Sequence, residues 1–165
     1  MRILFAGGGT GGHLYPGLAI ARAVQRLDPS ARPYFVGARR GIERDVLPAS
    51  GFPHRLLDLH PLYRSRPWEN WRTARGLATA WRAIGRLARP DPPALVVATG
   101  GYAAGAMLGW SVVHGVPYAI HESNSHPAVT TRVFAGRARE VLLGFPEAAR
   151  HLSPGRDTEI VDAGN

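Results

Sequence analysis

Apolar residues fall along the chain in short unbroken runs, separated by stretches with a helical rhythm. Ile3–Ala6 (ILFA) is one such run; Gly7 closes it, so it reads as a buried strand entering a tight turn. Beyond the glycines, Leu18, Ile20, Val24 and Leu27 recur at near-helical spacing. Pro16 suits the first turn of that helix, where its missing N–H is no loss. The unit then repeats in looser form, as a strand over Tyr34–Val36, a helix over Ile42–Ala49 stopped at Gly51, and a strand over Arg55–Leu59. A long helix is expected from about Glu69 to Leu87. Ala94–Ala98 (ALVVA) leads as a strand into Thr99-Gly100-Gly101 and a helix of small residues over Ala103–Val113. Strands at Tyr118–Ile120, Val141–Leu143 and Glu159–Val161, with a helix over Ala128–Ala135, complete the pattern.

Strands that are apolar throughout and alternate with helices predict a parallel sheet covered on both faces. Right-handed crossovers make that an α/β fold with a Rossmann-like, doubly wound parallel sheet. The 165 residues suit one domain. With 45% hydrophobic residues the chain is too apolar to be disordered. No run approaches the 18 apolar residues of a membrane span, and ILFA is too short for a signal peptide, so the composition is that of a cytosolic protein. The absence of cysteine excludes disulfides, thiolate catalysis and Cys-ligated metal sites. All 20 basic side chains are arginine, and the formal net charge of +8 favours polyanions or an anionic membrane.

Candidate chemistry gathers where the strands end. Gly7-Gly8-Gly9-Thr10-Gly11-Gly12 contains G-x-G-x-x-G at Gly7, Gly9 and Gly12. Such glycines let backbone N–H groups approach an anion at a helix N-terminus. A dinucleotide site is disfavoured, because Asp28 lies in an Asp-Pro turn and not at the end of the second strand. No G-K-[ST] is present, which excludes a nucleoside triphosphatase loop. A tight turn alone needs fewer than five glycines in six positions. His13 follows directly, near the first helical turn; the helix N-terminus disfavours an imidazolium, which suits a neutral base for a hydroxyl proton. Thr99-Gly100-Gly101-Tyr102 repeats the strand–glycine–helix arrangement, and the strand ending at Ile120 delivers His121-Glu122-Ser123-Asn124. Ligands bind at that sheet edge, outside the carboxyl ends of the strands. His121-Glu122 does not begin a metal motif, since Ser125 stands four residues after His121; no metal site is expected. Glu122 and Asn124 could present a carboxylate and an amide to sugar hydroxyls, or Glu122 could simply order its neighbours.

A second surface lies on the long helix. At 100° per residue, Leu77, Trp81, Ile84 and Ala88 form the core stripe, with Leu87 at its margin. Arg72, Arg75, Arg82, Arg86 and Arg89 fall opposite, and Trp68 and Trp71 fall among them if the helix begins early enough. A solvated charged face explains the arginines but not the indoles. Arginine beside tryptophan suits the headgroup level of a bilayer, so peripheral membrane contact is expected. Trp110 and Leu108 are candidates for the same patch. Nucleic acid is not expected, because no recognition motif appears and the arginines line one helix.

Together these residues resemble the amino-terminal half of glycosyltransferase family 28, the bacterial enzymes that make the lipid-linked disaccharide precursor of peptidoglycan. The resemblance runs over residues 2–165, most specifically in GGGTGGHLYPGLAIA at 7–21, GIE at 41–43, GGY at 100–102 and HESN at 121–124. It implies the amino-terminal, acceptor-binding domain of a GT-B glycosyltransferase over residues 1–163, with 164–165 starting a linker to a carboxyl-terminal donor-binding domain that this chain lacks. The implied activity is an inverting, UDP-GlcNAc-dependent N-acetylglucosaminyltransferase acting on the C4 hydroxyl of undecaprenyl-diphospho-N-acetylmuramoyl-pentapeptide, a peripheral enzyme at the cytoplasmic face of the bacterial cell membrane. It implies further that Gly11, Gly12 and Gly101 hold the acceptor diphosphate, that Thr10, Tyr102 and Asn124 are polar cleft residues, and that His13, or Glu122 as its rival, is the general base. No cofactor is implied in this half; UDP-N-acetylglucosamine is a donor substrate of the complete enzyme, and the chain alone is expected to be inactive. The alternatives are a related glycolipid glycosyltransferase and a separate acceptor-binding, membrane-anchoring subunit. Two positions depart from the family: Ser123 stands where it has glutamine, and Thr131 where it has a cleft asparagine.

Overall fold

A computed structural model describes residues 1–59, 68 and 70–164, with Asn70 and Arg72 described in their backbone alone. Asn165, expected in the linker, lies outside the described residues. Seven strands form one parallel sheet: β1 (Arg2–Gly7), β2 (Arg32–Ala38), β3 (His54–Leu57), β4 (Leu95–Gly100), β5 (Tyr118–Glu122), β6 (Glu140–Leu143) and β7 (Glu159–Asp162). Their spatial order is β3-β2-β1-β4-β5-β6-β7, so the order reverses between β1 and β4. Among the described residues five helices connect them: α1 (Gly11–Leu27), α2 (Glu43–Ser50), α3 (Asn70–Ala88), α4 (Gly101–His114) and α5 (Val129–Phe134). Short 3-10 turns at Ala135–Arg137 and Pro146–His151, not foreseen from the pattern, flank β6.

All six residues of β1 are buried, as an apolar run sandwiched by helices requires. Alternation along the strands then assigns each side chain to one of two cores. Ile3, Phe5, Phe35 and Val97 pack under Leu14, Leu18 and Ala21 of α1 and Leu47 of α2. Leu4, Ala6, Val36, Val96 and Ile120 pack under Ile84 of α3 and Met107 and Leu108 of α4. Each fully buried Leu, Ile or Phe contributes about 1.5–3 kcal/mol, which is why the period-two register holds so firmly. Gly51 ends α2 in the left-handed conformation (φ +80°).

Two expectations need correction. Pro16 is the sixth residue of α1, because the helix begins at Gly11. Its missing N–H therefore leaves the Gly12 carbonyl without its intrahelical donor. On α3 the buried stripe is Gly76, Ala80, Ile84 and Ala88, whereas Leu77 is 39% exposed. The buried face is thus turned by about 50° from the expected stripe, at 100° per residue. Trp81 is half-buried, and its indole N–H donates to the Ala106 carbonyl of α4 at 2.9 Å.

Candidate functional site

At the reversal of strand order two glycine loops interlock. The Gly8 N–H donates to the Gly100 carbonyl at 3.3 Å. Gly101 has φ +78°, and a β-carbon there would overlap the Gly8 carbonyl oxygen. Gly100 has φ +112°, and a β-carbon there would overlap the His13 ring. Only glycine allows both the dihedral angles and the approach.

His13 is the third residue of α1 and is held at both ends. The Thr99 hydroxyl donates to its backbone carbonyl at 2.6 Å. Its Nδ1 lies 3.2 Å from the Gly8 carbonyl and 3.3 Å from the Thr10 hydroxyl. A carbonyl can only accept, so the neutral ring carries its proton on Nδ1 and leaves the Nε2 lone pair free. Thr10 is the N-cap residue, extended at φ −137°, but its side chain caps no helix N–H. The first N–H groups of α1 have no intrahelical acceptor, and a positive dipole end lies with them. Thr10, Gly11, Gly12, His13, Tyr15, Pro16, Ser123 and Asn124 line an open cleft of about 430 Å³. A β-carbon built on Gly12 meets nothing within 4 Å, so that position faces open space. Tyr102 approaches from α4; a β-carbon on Gly9 would stand 3.4 Å from its hydroxyl.

The structure thus brings Thr10, Gly11, Gly12, His13 and Asn124 to one cleft, with Gly101 and Tyr102 against its glycine loop. Glu122 is placed differently. It is 3% exposed, and both oxygens are occupied. Oε1 accepts from the Asn124 backbone N–H at 3.0 Å and from Asn124 Nδ2 at 2.7 Å. Oε2 accepts from the Ala128 N–H at 2.8 Å and from the Thr131 hydroxyl at 2.6 Å. The carboxylate orders the loop after β5, and Thr131 serves that bond. Ser123 donates to the Gly12 carbonyl at 3.4 Å, the group that Pro16 leaves unpaired. The Ser123 hydroxyl is also 3.3 Å from Nδ1 of His121, whose pKa burial pushes below 6.5, partly opposed by the Glu122 charge.

The expected membrane face is a separate surface. Arg75, Arg82, Arg86 and Arg89 are exposed along α3, and Trp68 and Trp71 are 72% and 59% exposed at its start. The Arg72 side chain lies outside the described residues. Arg82, Arg86 and Arg89 border a groove of about 560 Å³ with Trp110 and His114 of α4. Trp110 is 3% exposed, and its indole N–H has no partner among the described residues. Among the described residues no helix is long and apolar enough to cross a membrane.

Residue-level reasoning missed one site feature. Glu43, known beforehand only as the end of the GIE motif, is fully buried beneath the first glycine loop.

Comparison with known proteins places this geometry in a family. Residues 3–143 match the glycosyltransferase family 28 N-terminal domain. A Moorella thermoacetica protein described as UDP-N-acetylglucosamine–N-acetylmuramyl-(pentapeptide) pyrophosphoryl-undecaprenol N-acetylglucosamine transferase is 43% identical over 168 residues, covering 99% of this chain and 44% of its own. A Symbiobacterium thermophilum protein of the same description is 40% identical over 171 residues, with coverages of 100% and 44%. The crystal structure of Acinetobacter baumannii MurG superposes with a TM-score of 0.76 at 22% identity, covering 97% of this chain and 45% of that one. The chain spans less than half the length of the curated relatives it matches.

Proposed function

The chain belongs to glycosyltransferase family 28, matching its amino-terminal domain, and from that premise we propose that it is the acceptor- and membrane-binding half of an inverting N-acetylglucosaminyltransferase of peptidoglycan synthesis. The acceptor is undecaprenyl-diphospho-N-acetylmuramoyl-pentapeptide. The donor, UDP-N-acetylglucosamine, is bound mainly by a second domain beyond this chain, and this half supplies no cofactor. The observation that carries the reading is the His13 ring, held by the Gly8 carbonyl and the Thr10 hydroxyl at the mouth of an open, glycine-lined cleft.

In the proposed reaction the acceptor diphosphate lies against the first N–H groups of α1, with Gly11 and Gly12 leaving room and Gly101 locking the loop beneath. Backbone donors and the helix dipole suit phosphate oxygens without a metal. The C4 hydroxyl of the muramoyl sugar attacks C1 of N-acetylglucosamine from the face opposite UDP. The C1–O bond to the diphosphate breaks, its electron pair leaves with UDP, and the hydroxyl proton passes to Nε2 of His13. Attack opposite the leaving group inverts the anomeric centre. Glu122 acts as a positioning residue that presents Asn124 to the cleft; its four accepted bonds favour His13 as the base. Tyr102 and Thr10 complete the polar wall.

Peripheral contact with the cytoplasmic face of the membrane is assigned to the arginines of α3 with Trp68 and Trp71; Trp110 and Leu108, expected in the same patch, are buried in the core and are not part of it. Arginines attract anionic headgroups while exposed indoles sit at the interface. That placement delivers the cleft to a lipid-anchored acceptor.

Turnover of the two-domain enzyme with and without His13→Ala tests the reading. General-base catalysis is typically worth about 10²–10⁴-fold. The variant should lose that factor in kcat with acceptor affinity nearly unchanged. Transfer to a different glycolipid, with none to the undecaprenyl-linked acceptor, would reassign the substrate; loss of affinity with kcat intact would make His13 a binding residue.

A further inference from the structure

The strand-to-helix loop after β2 carries a buried acid that the proposed reaction does not use. Glu43 opens α2 and is 0% exposed. Its Oε1 accepts the Ala38 backbone N–H at 3.1 Å. Its Oε2 is buried without a hydrogen-bond partner among the described residues. An acid at the start of a helix is favoured by the helix dipole, which accounts for the residue type. Helix start and core packing do not account for the burial, because an unpartnered carboxylate oxygen is unfavourable away from water.

The surroundings of that carboxylate are cut away to fit it. A β-carbon on Gly8 would overlap Oε1, and one on Gly41 would overlap Oε2. A β-carbon on Gly37 would stand 3.0 Å from Glu43 Cβ. Gly8 of the first glycine loop, with Gly37 and Gly41 from the stretch leading into Glu43, thus surrounds one side chain. Gly8 and Gly41 also flank the cleft loop: a β-carbon on Gly41 would lie 3.1 Å from the Gly9 α-carbon. Gly8 in turn supplies the carbonyl that receives Nδ1 of His13.

We propose that Glu43 is a positioning residue that supports Gly8 from beneath, so that the Gly8 carbonyl keeps the His13 ring in its Nδ1–H form. The inference extends the assignment of His13 as base and rests on it. Glu43 touches no substrate; it fixes the floor of the loop, the loop fixes the ring, and the ring presents Nε2. Reach matters more than charge in this arrangement. Glutamine spans the same distance and still offers an oxygen to Ala38, whereas aspartate keeps the charge but withdraws it from Gly8.

The test compares Glu43→Gln, Glu43→Asp and Gly8→Ala in this chain labelled with ¹⁵N-histidine, reading the His13 ring nitrogens by NMR beside thermal unfolding. Wild type and E43Q should show the Nδ1–H form of His13 as dominant. E43D and G8A should lose that dominance, and a G8A/E43A double variant, which relieves the steric conflict but has no side chain to support the loop, should not regain it. An unchanged His13 spectrum in E43D and G8A overturns the proposal, as does a change in E43Q equal to that in E43D. Should E43D fail to fold, Glu43→Ala read against E43Q takes its place, since G8A alters the residue that holds the ring and cannot decide alone. In the two-domain enzyme E43D should lower kcat while leaving the donor KM unchanged. Normal ring spectra in an enzyme that transfers no sugar would count against the base assignment and leave the Glu43 result standing.

Discussion

The Thr99 hydroxyl at the end of β4 donates to the backbone carbonyl of His13 in the first turn of α1, across 2.6 Å. The same hydroxyl fills the space where Gly7 would carry a β-carbon and packs beside Gly17. One short polar side chain thus joins the two strands at the reversal of strand order to the helix bearing the proposed base. Thr99 is 3% exposed, so an unmatched group there cannot turn to water. Thr99→Val keeps the shape and deletes the donor. It should destabilise the fold by about 1–3 kcal/mol, the range for a buried polar group left unsatisfied. Thr99→Ser should recover most of that. Chemical denaturation measures both, and equal stabilities for the two variants would show that the bond contributes nothing.

Gly12 separates folding from binding. Nothing among the described residues opposes a β-carbon there, and the residue lies inside a helix. Gly12→Ala should therefore be neutral or stabilising by about 0.4–1 kcal/mol, through lost freedom in the unfolded chain. If the acceptor diphosphate approaches the backbone at this point, the added methyl should weaken acceptor binding all the same. A protein that unfolds later but binds a soluble acceptor analogue less tightly, read by calorimetry, is the expected pair of results. Undiminished affinity would move the diphosphate away from Gly12.

Much of this site was legible in the amino-acid sequence because glycine is required where backbones touch. Gly100 and Gly101 have positive φ, and their β-carbons would strike His13 and Gly8. The strands were legible for a related reason: burial on both faces makes them apolar throughout, as in β1. Tertiary partners were not legible. Pro16 reads as a first-turn residue because nothing in its neighbourhood reveals that Ser123, more than a hundred residues on, reaches the carbonyl it leaves unpaired. Leu77 reads as core because wheel geometry favours the larger apolar side chains, whereas Gly76 and Ala80 are the positions that are buried. Glu122 reads either as a carboxylate offered to sugar hydroxyls or as one that orders its neighbours, and only its donors, from Asn124 to Thr131, distinguish the two. Glu43 showed only as the end of the GIE motif, because its burial depends on Gly8 of the first glycine loop, far from it in the sequence.

Those donors give Glu122 a prediction of its own. All four accepted bonds require oxygens, and Glu122→Gln turns an NH₂ group toward two donors. The variant should lose about 1–3 kcal/mol of stability. Its acceptor KM should rise as the Asn124 loop loosens. A collapse confined to kcat, with thermal stability intact, would instead return the base assignment to Glu122.

Acid should weaken the fold partly through His121. Burial lowers its folded pKa below 6.5. Above about pH 6.5 the ring is neutral in both states and contributes no pH dependence. As pH falls below that value the unfolded chain takes up the proton first, so stability drops until the folded ring protonates too. Urea titrations between pH 5 and 8 should show a steeper loss in wild type than in His121→Asn. Equal slopes would remove His121 from the account.

The last prediction separates charge from insertion at the α3 surface. Arg82, Arg86 and Arg89 are exposed beside Trp110 and make no ion pair among the described residues, so their charge is available to anionic lipid. Each basic residue near such a surface is worth about 1 kcal/mol, and three should shift partitioning by roughly two orders of magnitude. Replacing all three with glutamine should abolish most binding to phosphatidylglycerol vesicles in sedimentation assays. Raising salt from 0.1 to 1 M shortens the Debye length from about 10 to 3 Å and should release wild type in the same way. Trp68→Ala should behave differently, lowering binding without altering the salt dependence, because an indole 72% exposed contributes area and not charge. Binding to phosphatidylcholine as strong as to phosphatidylglycerol at every salt concentration would leave the arginines as an ordinary solvated face.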